Sequence, residues 1–274
     1  MADSERIAIG IIGFGEVGQR LSADLMPTGR VVISTYDIVF ADPKLGPARQ
    51  EKADALGVRV APSLAAACEG ARVVISAVTA DQTERVAEEA SRHLTPGQIF
   101  LDINSASPST KQRAARAVEA SAAHYVEGAV MGPVRLPGIR IAILAGGMAA
   151  EEASALLNGL GFNLTPVATE HGKASAIKLC RSIVIKGLEA LMVDCAAATR
   201  AAGVETQVYA SLAETFPSID WPALADNMAE RVATHGIRRS AEMREAADML
   251  GEMGLDPALA RAVADAQARG ARKR

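Results

Sequence analysis

Aromatic side chains are scarce. Phe, Trp and Tyr make up 3% of the 274 residues, with a single Trp. A core short of rings must be filled by aliphatic side chains, and the abundant Ala favours closely packed helices. Charge of one sign is lacking too: the formal net charge is −3, which leaves no electrostatic case for a nucleic-acid partner. Cysteine is limited to Cys68, Cys180 and Cys195, odd in number, widely spaced and each within an apolar helical pattern. That argues against a disulfide framework and offers no metal spacing, so the reading is no metal and buried structural thiols in a reducing cytoplasm. No stretch is both long and uncharged enough to span a bilayer. The opening MADSER has no signal-peptide layout, and the basic tail 269–274 (RGARKR) reads as a frayed, solvated terminus. Repeats and low-complexity segments are absent. What remains is apolar: 49% hydrophobic residues, enough for a sizeable core in one large domain or two ordinary ones.

The most informative stretch is RIAIGIIGFGEVG, residues 6–18. Residues 7–12 form a short apolar, β-branched run that predicts a buried strand. Gly13, Gly15 and Gly18 follow in the spacing G-x-G-x-x-G, and Val17, Leu21 and Leu25 then recur at helical spacing from Glu16 onward. Strand, glycine turn and helix are the context in which this pattern means dinucleotide binding. Gly13 permits the tight turn, Gly15 lets backbone approach a pyrophosphate, and Gly18 lets helix and strand pack closely. The helix start offers unpaired N–H groups and partial positive charge to the phosphates. The plainer alternative is an ordinary βα turn. A second β-branched run, 30–36, ends at Asp37, 22 residues after Gly15, near the spacing of the carboxylate that binds the adenosine ribose hydroxyls. Such a carboxylate repels a 2′-phosphate and favours NAD. Asp37 as a helix cap is the alternative, and Arg30 or Lys44 could serve a phosphate, so NADP stays open.

Strand alternates with helix along the first part of the chain, with further strands expected at 58–60, 71–78, 98–103, 124–126, 139–145 and 163–167. This predicts an α/β domain, 1–168, with a doubly wound, mostly parallel sheet of the Rossmann type. Val78, Thr79, Asn104 and Ser105 then lie on the strand ends where ligands bind. The character changes afterwards. Residues 173–202 contain no Pro and one Gly, with apolar residues on almost every face, which predicts a buried helix of roughly 45 Å. Four more helices are expected over 205–272, with boundaries at Pro217, Trp221-Pro222, His235-Gly236 and Gly254 with Pro257. Residues 169–274 therefore read as an all-α domain.

Within the long helix, Lys178 stands one turn before Arg181 and Ser182. A lysine in an apolar segment must pair, reach solvent, or titrate near neutrality as a general acid or base does. Arg181 carries a planar fork suited to a carboxylate, or makes an internal ion pair. Arg239 lies in line with the apolar stripe Met243, Ala246 and Leu250, while Arg238 pairs with Glu242 at i+4 toward solvent.

These motifs resemble the β-hydroxyacid dehydrogenase family, which includes 3-hydroxyisobutyrate and 6-phosphogluconate dehydrogenases, over essentially the whole chain. Gly13-Phe14-Gly15-Glu16-Val17-Gly18 is similar to its glycine motif. Residues 102–108 (DINSASP) are similar to its D-x-S-[ST]-x-x-P segment, so the resemblance gives Ser105 the nicotinamide contact. Val78-Thr79 matches its cofactor loop. Residues 172–178 look like G-x-G-x-x-x-K with Ala174 at the second Gly, which implies that Lys178 is the catalytic lysine. The substrate half departs from the pattern. Where the family has D-x-P-V-S-G-G, this chain has EGAVMGP, so Met131, with Gly132 and Pro133, replaces the carboxylate-binding Ser. Ser182 replaces an Asn, and Arg181 stands where many members have Asn or His. The pattern is closer to a branch with a variant C-terminal domain.

The resemblance implies an NAD(P)-dependent oxidoreductase acting on a hydroxy acid, with Arg239 as a candidate for the basic residue that reaches cofactor and substrate. The rewritten loop points to a carboxylate-bearing substrate with a larger or more apolar body. Alternatives are an imine reductase, a group that generally lacks the lysine, and a dinucleotide sensor without turnover. No membrane partner is expected. A long helix apolar on all faces, followed by few helices, implies a homodimer through 173–274.

Overall fold

A computed structural model describes residues 6–271 of the chain; residues 1–5 and 272–274, which hold most of MADSER and the end of the basic tail, lie outside the described residues. The chain divides into two compact units, one reaching to Ala176 and one starting at Ile177. The division falls eight residues beyond 168, where the composition changes.

The first unit is built around strands β1 (Ile7–Ile12), β2 (Val31–Tyr36), β3 (Arg59–Val60), β4 (Val73–Ser76), β5 (Ile99–Asp102), β6 (His124–Val130), β7 (Ala142–Gly146) and β8 (Asn163–Ala168). They form one sheet in the order β3-β2-β1-β4-β5-β6-β7-β8. Every neighbouring pair is parallel except β6 and β7, which run antiparallel. Helices α1 (Glu16–Leu25), α2 (Gly46–Ala55), α3 (Leu64–Cys68), α4 (Thr83–Ser91), α5 (Pro108–Glu119) and α6 (Ala150–Asn158) connect the strands. Side chains alternate across the sheet. Ile9, Ile11, Ile33, Ile75 and Leu101 join one core, and Ile12, Val74, Phe100 and Tyr125 join the other. A parallel sheet covered on both faces explains why its strands read as continuous apolar runs.

Strand β6 extends four residues past the end expected from sequence. Glu127-Gly128 interrupts the apolar run, yet Glu127 is fully buried. Gly128 packs so closely that an added Cβ would lie 3.0 Å from Ile103 Cγ2.

The second unit consists of most of α7 (Lys173–Ala202) with α8 (Glu205–Thr215), α9 (Trp221–Glu252) and α10 (Ala258–Gly270). Among the described residues three helices follow α7, not four, because α9 runs straight through His235-Gly236. Gly236 is there for proximity: an added Cβ would lie 2.3 Å from the Gln267 carbonyl oxygen and 2.9 Å from Ala271 Cβ. The basic tail is not frayed throughout, since Arg269 sits in the last turn of α10 and pairs with Asp194 at 3.0 Å. Burial of thiols holds for Cys68, which desolvation, aided by Glu89, pushes up to about 12. It fails for Cys180, which is exposed, and for Cys195, which is half-buried, because both lie toward the outward face of α7. No helix among the described residues is long and apolar enough to cross a membrane.

Gly236→Ala should destabilise the protein by about 1–3 kcal/mol, the cost of overpacking a tight contact. The loss would appear as a lower urea midpoint at unchanged slope; an unchanged midpoint would show that α9 and α10 can separate freely.

Candidate active site

The C-terminal ends of β1, β2, β4, β5 and β6 share one edge of the sheet, as parallel pairing requires. Gly13 leaves β1 with φ +97°, open only to glycine at low cost. An added Cβ on Gly13 would lie 2.4 Å from the Ala77 carbonyl oxygen, and one on Gly18 would lie 2.2 Å from that of Gly13. Gly15 differs: an added Cβ would meet nothing within 4 Å. Steric need inside the protein thus explains Gly13 and Gly18, while at Gly15 a side chain would fill the cradle at the start of α1. No side chain caps that helix start, so its amides suit a phosphate. Phe14 and Val17 face inward. Phe14 is fully buried and stacks on Phe40 with ring centroids 5.7 Å apart, and its amide and carbonyl are both bonded within the protein, which leaves the Val17 amide in the first turn of α1 for a ligand. Glu16 is exposed.

Asp37 plays the cap and is also placed for the ribose. One carboxylate oxygen accepts the Phe14 amide at 2.7 Å and the other the Val39 amide at 2.9 Å. A carboxylate offers about four lone-pair sites, so two remain for vicinal hydroxyls. Arg30 does not serve this edge; it precedes β2 at the far end of the strand and donates to the Gly159 carbonyl at 2.6 Å. Lys44 lies in a turn built on Asp42. A cation that does reach the glycine loop is Arg49 of α2, which donates to the Phe14 carbonyl at 2.6 Å; Arg135 also pairs with Glu16 at 3.8 Å. The place of Arg49 in a polar helix gave no sequence signal.

At the next strand ends, Asn104 joins the two cofactor segments. Its Oδ1 accepts the Val78 amide at 2.6 Å and its Nδ2 donates to Ser76 Oγ at 3.0 Å. Ser105 beside it is half-buried and Thr79 is exposed. Beneath them lies a buried cluster. Asp102 Oδ1 accepts the Asn104 amide at 2.9 Å and pairs with Lys111 Nζ at 2.9 Å, and Tyr125 donates its hydroxyl to Asp102 Oδ2 at 2.6 Å. Burial and the neighbouring carboxylates push the Tyr125 phenol well above its ordinary range, so it stays a donor.

Strand β6 brings the variant loop to the same edge. Met131 and Gly132 are half-buried and Pro133 is exposed, and the Met131 amide donates to the Ala142 carbonyl at 2.9 Å. Glu127, four residues before Met131, was legible only as the first letter of a motif. Its buried carboxylate accepts the amides of Gly172 and Ser175, each at 2.6 Å. A remote carboxylate therefore caps the start of α7, satisfying its orphan amides and its dipole. This is why the first turn of α7 belongs to the first unit.

In the second unit, Lys178 is half-buried and Arg181 exposed on α7. The other two residues expected at the substrate are committed elsewhere. Ser182 is buried and accepts a hydrogen bond from Lys186 Nζ at 2.8 Å, and Lys186 pairs with Glu242 at 2.7 Å. Arg239 is buried against Glu189, with bonds of 2.5 and 2.6 Å to its two oxygens. Glu189, with no exposed surface, also takes Arg231 at 3.0 Å and Gln267 at 3.1 Å. Arg239 is thus an interhelical tie, and its place in the apolar stripe of α9 reflects that. Arg238 pairs with Glu242 at 2.5 Å as expected, but Glu242 is mostly buried. Burial raises its carboxyl pKa, yet Lys186, Arg238 and Lys178 together hold it below the ordinary value.

A G-x-G-x-x-G loop, a carboxylate at the end of the second strand and two further strand-end segments on one edge are the arrangement of a dinucleotide-binding domain. Residues 8–168 match the family model described as the NAD binding domain of 6-phosphogluconate dehydrogenase, and the chain belongs to that family. Residues 198–270 match a domain of unknown function (DUF1932). A conserved hypothetical protein from Sinorhizobium meliloti 1021 is 37% identical, with 97% of this chain and 88% of that one covered and a TM-score of 0.89. A conserved protein of unknown function, described as structurally similar to 3-hydroxyacid dehydrogenases, is 33% identical over 96% and 98% of the two chains, with a TM-score of 0.80. A Mycobacterium tuberculosis 3-hydroxyisobutyrate dehydrogenase solved with L-serine shares the fold, at 20% identity, 97% and 94% coverage and a TM-score of 0.80. Imine reductases share it as well.

Gly15→Ala should leave stability within about 0.5 kcal/mol of the parent yet weaken NADH binding at least tenfold. Gly18→Ala should lower the melting temperature. Equal NADH affinity in Gly15→Ala and the parent would remove the glycine loop from the cofactor site.

Proposed function

We propose that this member of an NAD-binding dehydrogenase family oxidises, or in reverse forms, the hydroxyl-bearing carbon of a hydroxy acid, with Lys178 as acid/base. The observation that supports it most is the single edge holding the Gly15 cradle, Asp37, the Asn104–Val78 link and the Met131 loop. Bound NAD supplies the hydride acceptor. Asp37 holds the adenosine ribose and disfavours a 2′-phosphate, while Arg49 at the glycine loop keeps NADP within reach. Lys178 takes the hydroxyl proton as hydride leaves the adjoining carbon, and returns it in the reverse direction. Arg181 binds the substrate carboxylate through its planar fork, and Met131 with Gly132 and Pro133 shapes an adaptable apolar wall. Ser182 and Arg239 have no part in this scheme, being spent on Lys186 and Glu189.

The test is a panel of hydroxy acids and imines with both cofactors, followed by reduced-nicotinamide absorbance. Turnover of a hydroxy acid is expected, and Lys178→Ala should lower kcat by roughly 10²–10⁴-fold at unchanged NADH affinity. Near-parental turnover in that variant overturns the lysine assignment. Turnover confined to imines, or binding without turnover, overturns the reaction.

The reading includes a homodimer through the helical unit. Ile177, Val184 and Leu191 lie seven residues apart on α7 and are 44%, 67% and 70% exposed, a stripe of the kind that two copies of a helix cover for each other. Sedimentation equilibrium at micromolar concentration should show a dimer for the parent and a monomer for Leu191→Glu. A monomeric, fully active parent overturns the dimer.

A further inference from the structure

The fully buried Lys111 occupies a core position. It lies on the same face of α5 as Ala114, Ala115 and Val118, all buried. An aliphatic residue there would avoid the desolvation of an ammonium, and replacing a buried ion pair by apolar side chains often leaves stability unchanged or improved. Stability alone is a poor reason for the charge.

Geometry supplies a better one. Lys111 Nζ reaches two atoms of one residue, the Asp102 carboxylate at 2.9 Å and the Asp102 carbonyl oxygen at 3.0 Å. It thus fixes both backbone and side chain where the chain leaves β5. Tyr125 closes the other carboxylate oxygen. The first carboxylate oxygen turns the chain by accepting the Asn104 amide, a local Asx-type bond. The Asn104 side chain then carries the constraint to Val78 on the neighbouring strand end. One carboxylate therefore organises both segments on the β4–β5 side of the switch point, the side of the second mononucleotide half. The glycine loop and Asp37, which serve the adenosine half, are held separately, Asp37 by the Phe14 and Val39 amides.

We propose that Lys111 and Tyr125 are positioning residues for the nicotinamide half of the cofactor, acting through Asp102 on Asn104, Ser105 and Val78. This rests on the reading of that edge as the nicotinamide side. Neither residue touches the cofactor, and neither influences its adenosine half.

The experiment compares NADH with ADP-ribose, which carries the adenosine half without nicotinamide, by calorimetry on the full chain. Emission of the bound dihydronicotinamide is read alongside. Lys111→Met and Tyr125→Phe should each weaken NADH about tenfold, leave ADP-ribose within about twofold, and return the emission toward that of free NADH. If Lys111→Met does not fold, the double variant Asp102→Asn with Lys111→Met removes the unpaired buried charge, and it and Tyr125→Phe carry the comparison. Parallel weakening of both ligands overturns the proposal, as does undiminished NADH affinity in the folded variants. Parent protein that binds NADH with the emission of the free cofactor overturns the underlying reading of the edge itself.

Discussion

The central strands of the sheet are covered on both faces, and that constraint decides where polar groups can stand. A strand buried above and below has no side-chain position in contact with water along its length. Ile75 faces one core and Val74 the other, and their neighbours follow suit. Hydrogen-bonding chemistry is driven to the strand ends, where the ladder stops and backbone groups need new partners. Asp37 and Asn104 meet that need: their side chains receive the amides of Phe14 and Val78, just past β1 and β4; Glu127, buried within β6, instead serves the start of α7. Under the proposed function, Asp37 and Asn104 both position a ligand and terminate the sheet.

The helical unit solves a different problem. Its helices are rich in Ala and poor in rings, so much of its specificity comes from buried charge. Glu189 gathers Arg239, Arg231 and Gln267, and Lys186 bridges Ser182 and Glu242. Such groups are costly when unpaired; here each charged side chain finds a counter-charge, although the buried atoms Arg239 Nε and Gln267 Oε1 have no hydrogen-bond partner among the described residues. The paired groups fix how α7, α9 and α10 meet, and they bind Arg239 and Ser182 to Glu189 and Lys186.

Legibility in the sequence followed the range of the forces involved. Strand β1, the start of α1 and both ends of α7 were readable because local periodicity and the absence of breakers determine them. Glycine was read well where a turn demands it, at Gly13, and badly where a distant helix demands it, at Gly236. Glu127 and Lys111 were opaque because their meaning lies in partners 45 residues away or on another element. Arg49 is an ordinary surface letter until folding brings it to Phe14. Cys180 looked buried because an apolar helix was read as covered on all sides, whereas a single copy of the helical unit leaves one stripe bare. The strand ends that carry the candidate cofactor residues were therefore visible in the sequence, and the supports beneath them were not.

The antiparallel step between β6 and β7 has a consequence for how such a protein can change. Every parallel neighbour in the sheet needs a crossover, usually a helix that must itself be packed. The link from Val130 to Ala142 needs none, because the chain simply turns back. Its first part, 131–136, is half-buried or exposed and can be lengthened or exchanged, whereas Ile139 joins the core and Ile141 packs against it. That link carries Met131, Gly132 and Pro133, while Gly15, Asp37 and Asn104 lie on segments locked to packed elements. The exposed start of that connection can thus vary while the segments that carry Gly15, Asp37 and Asn104 stay fixed, a division set by the direction of a single strand.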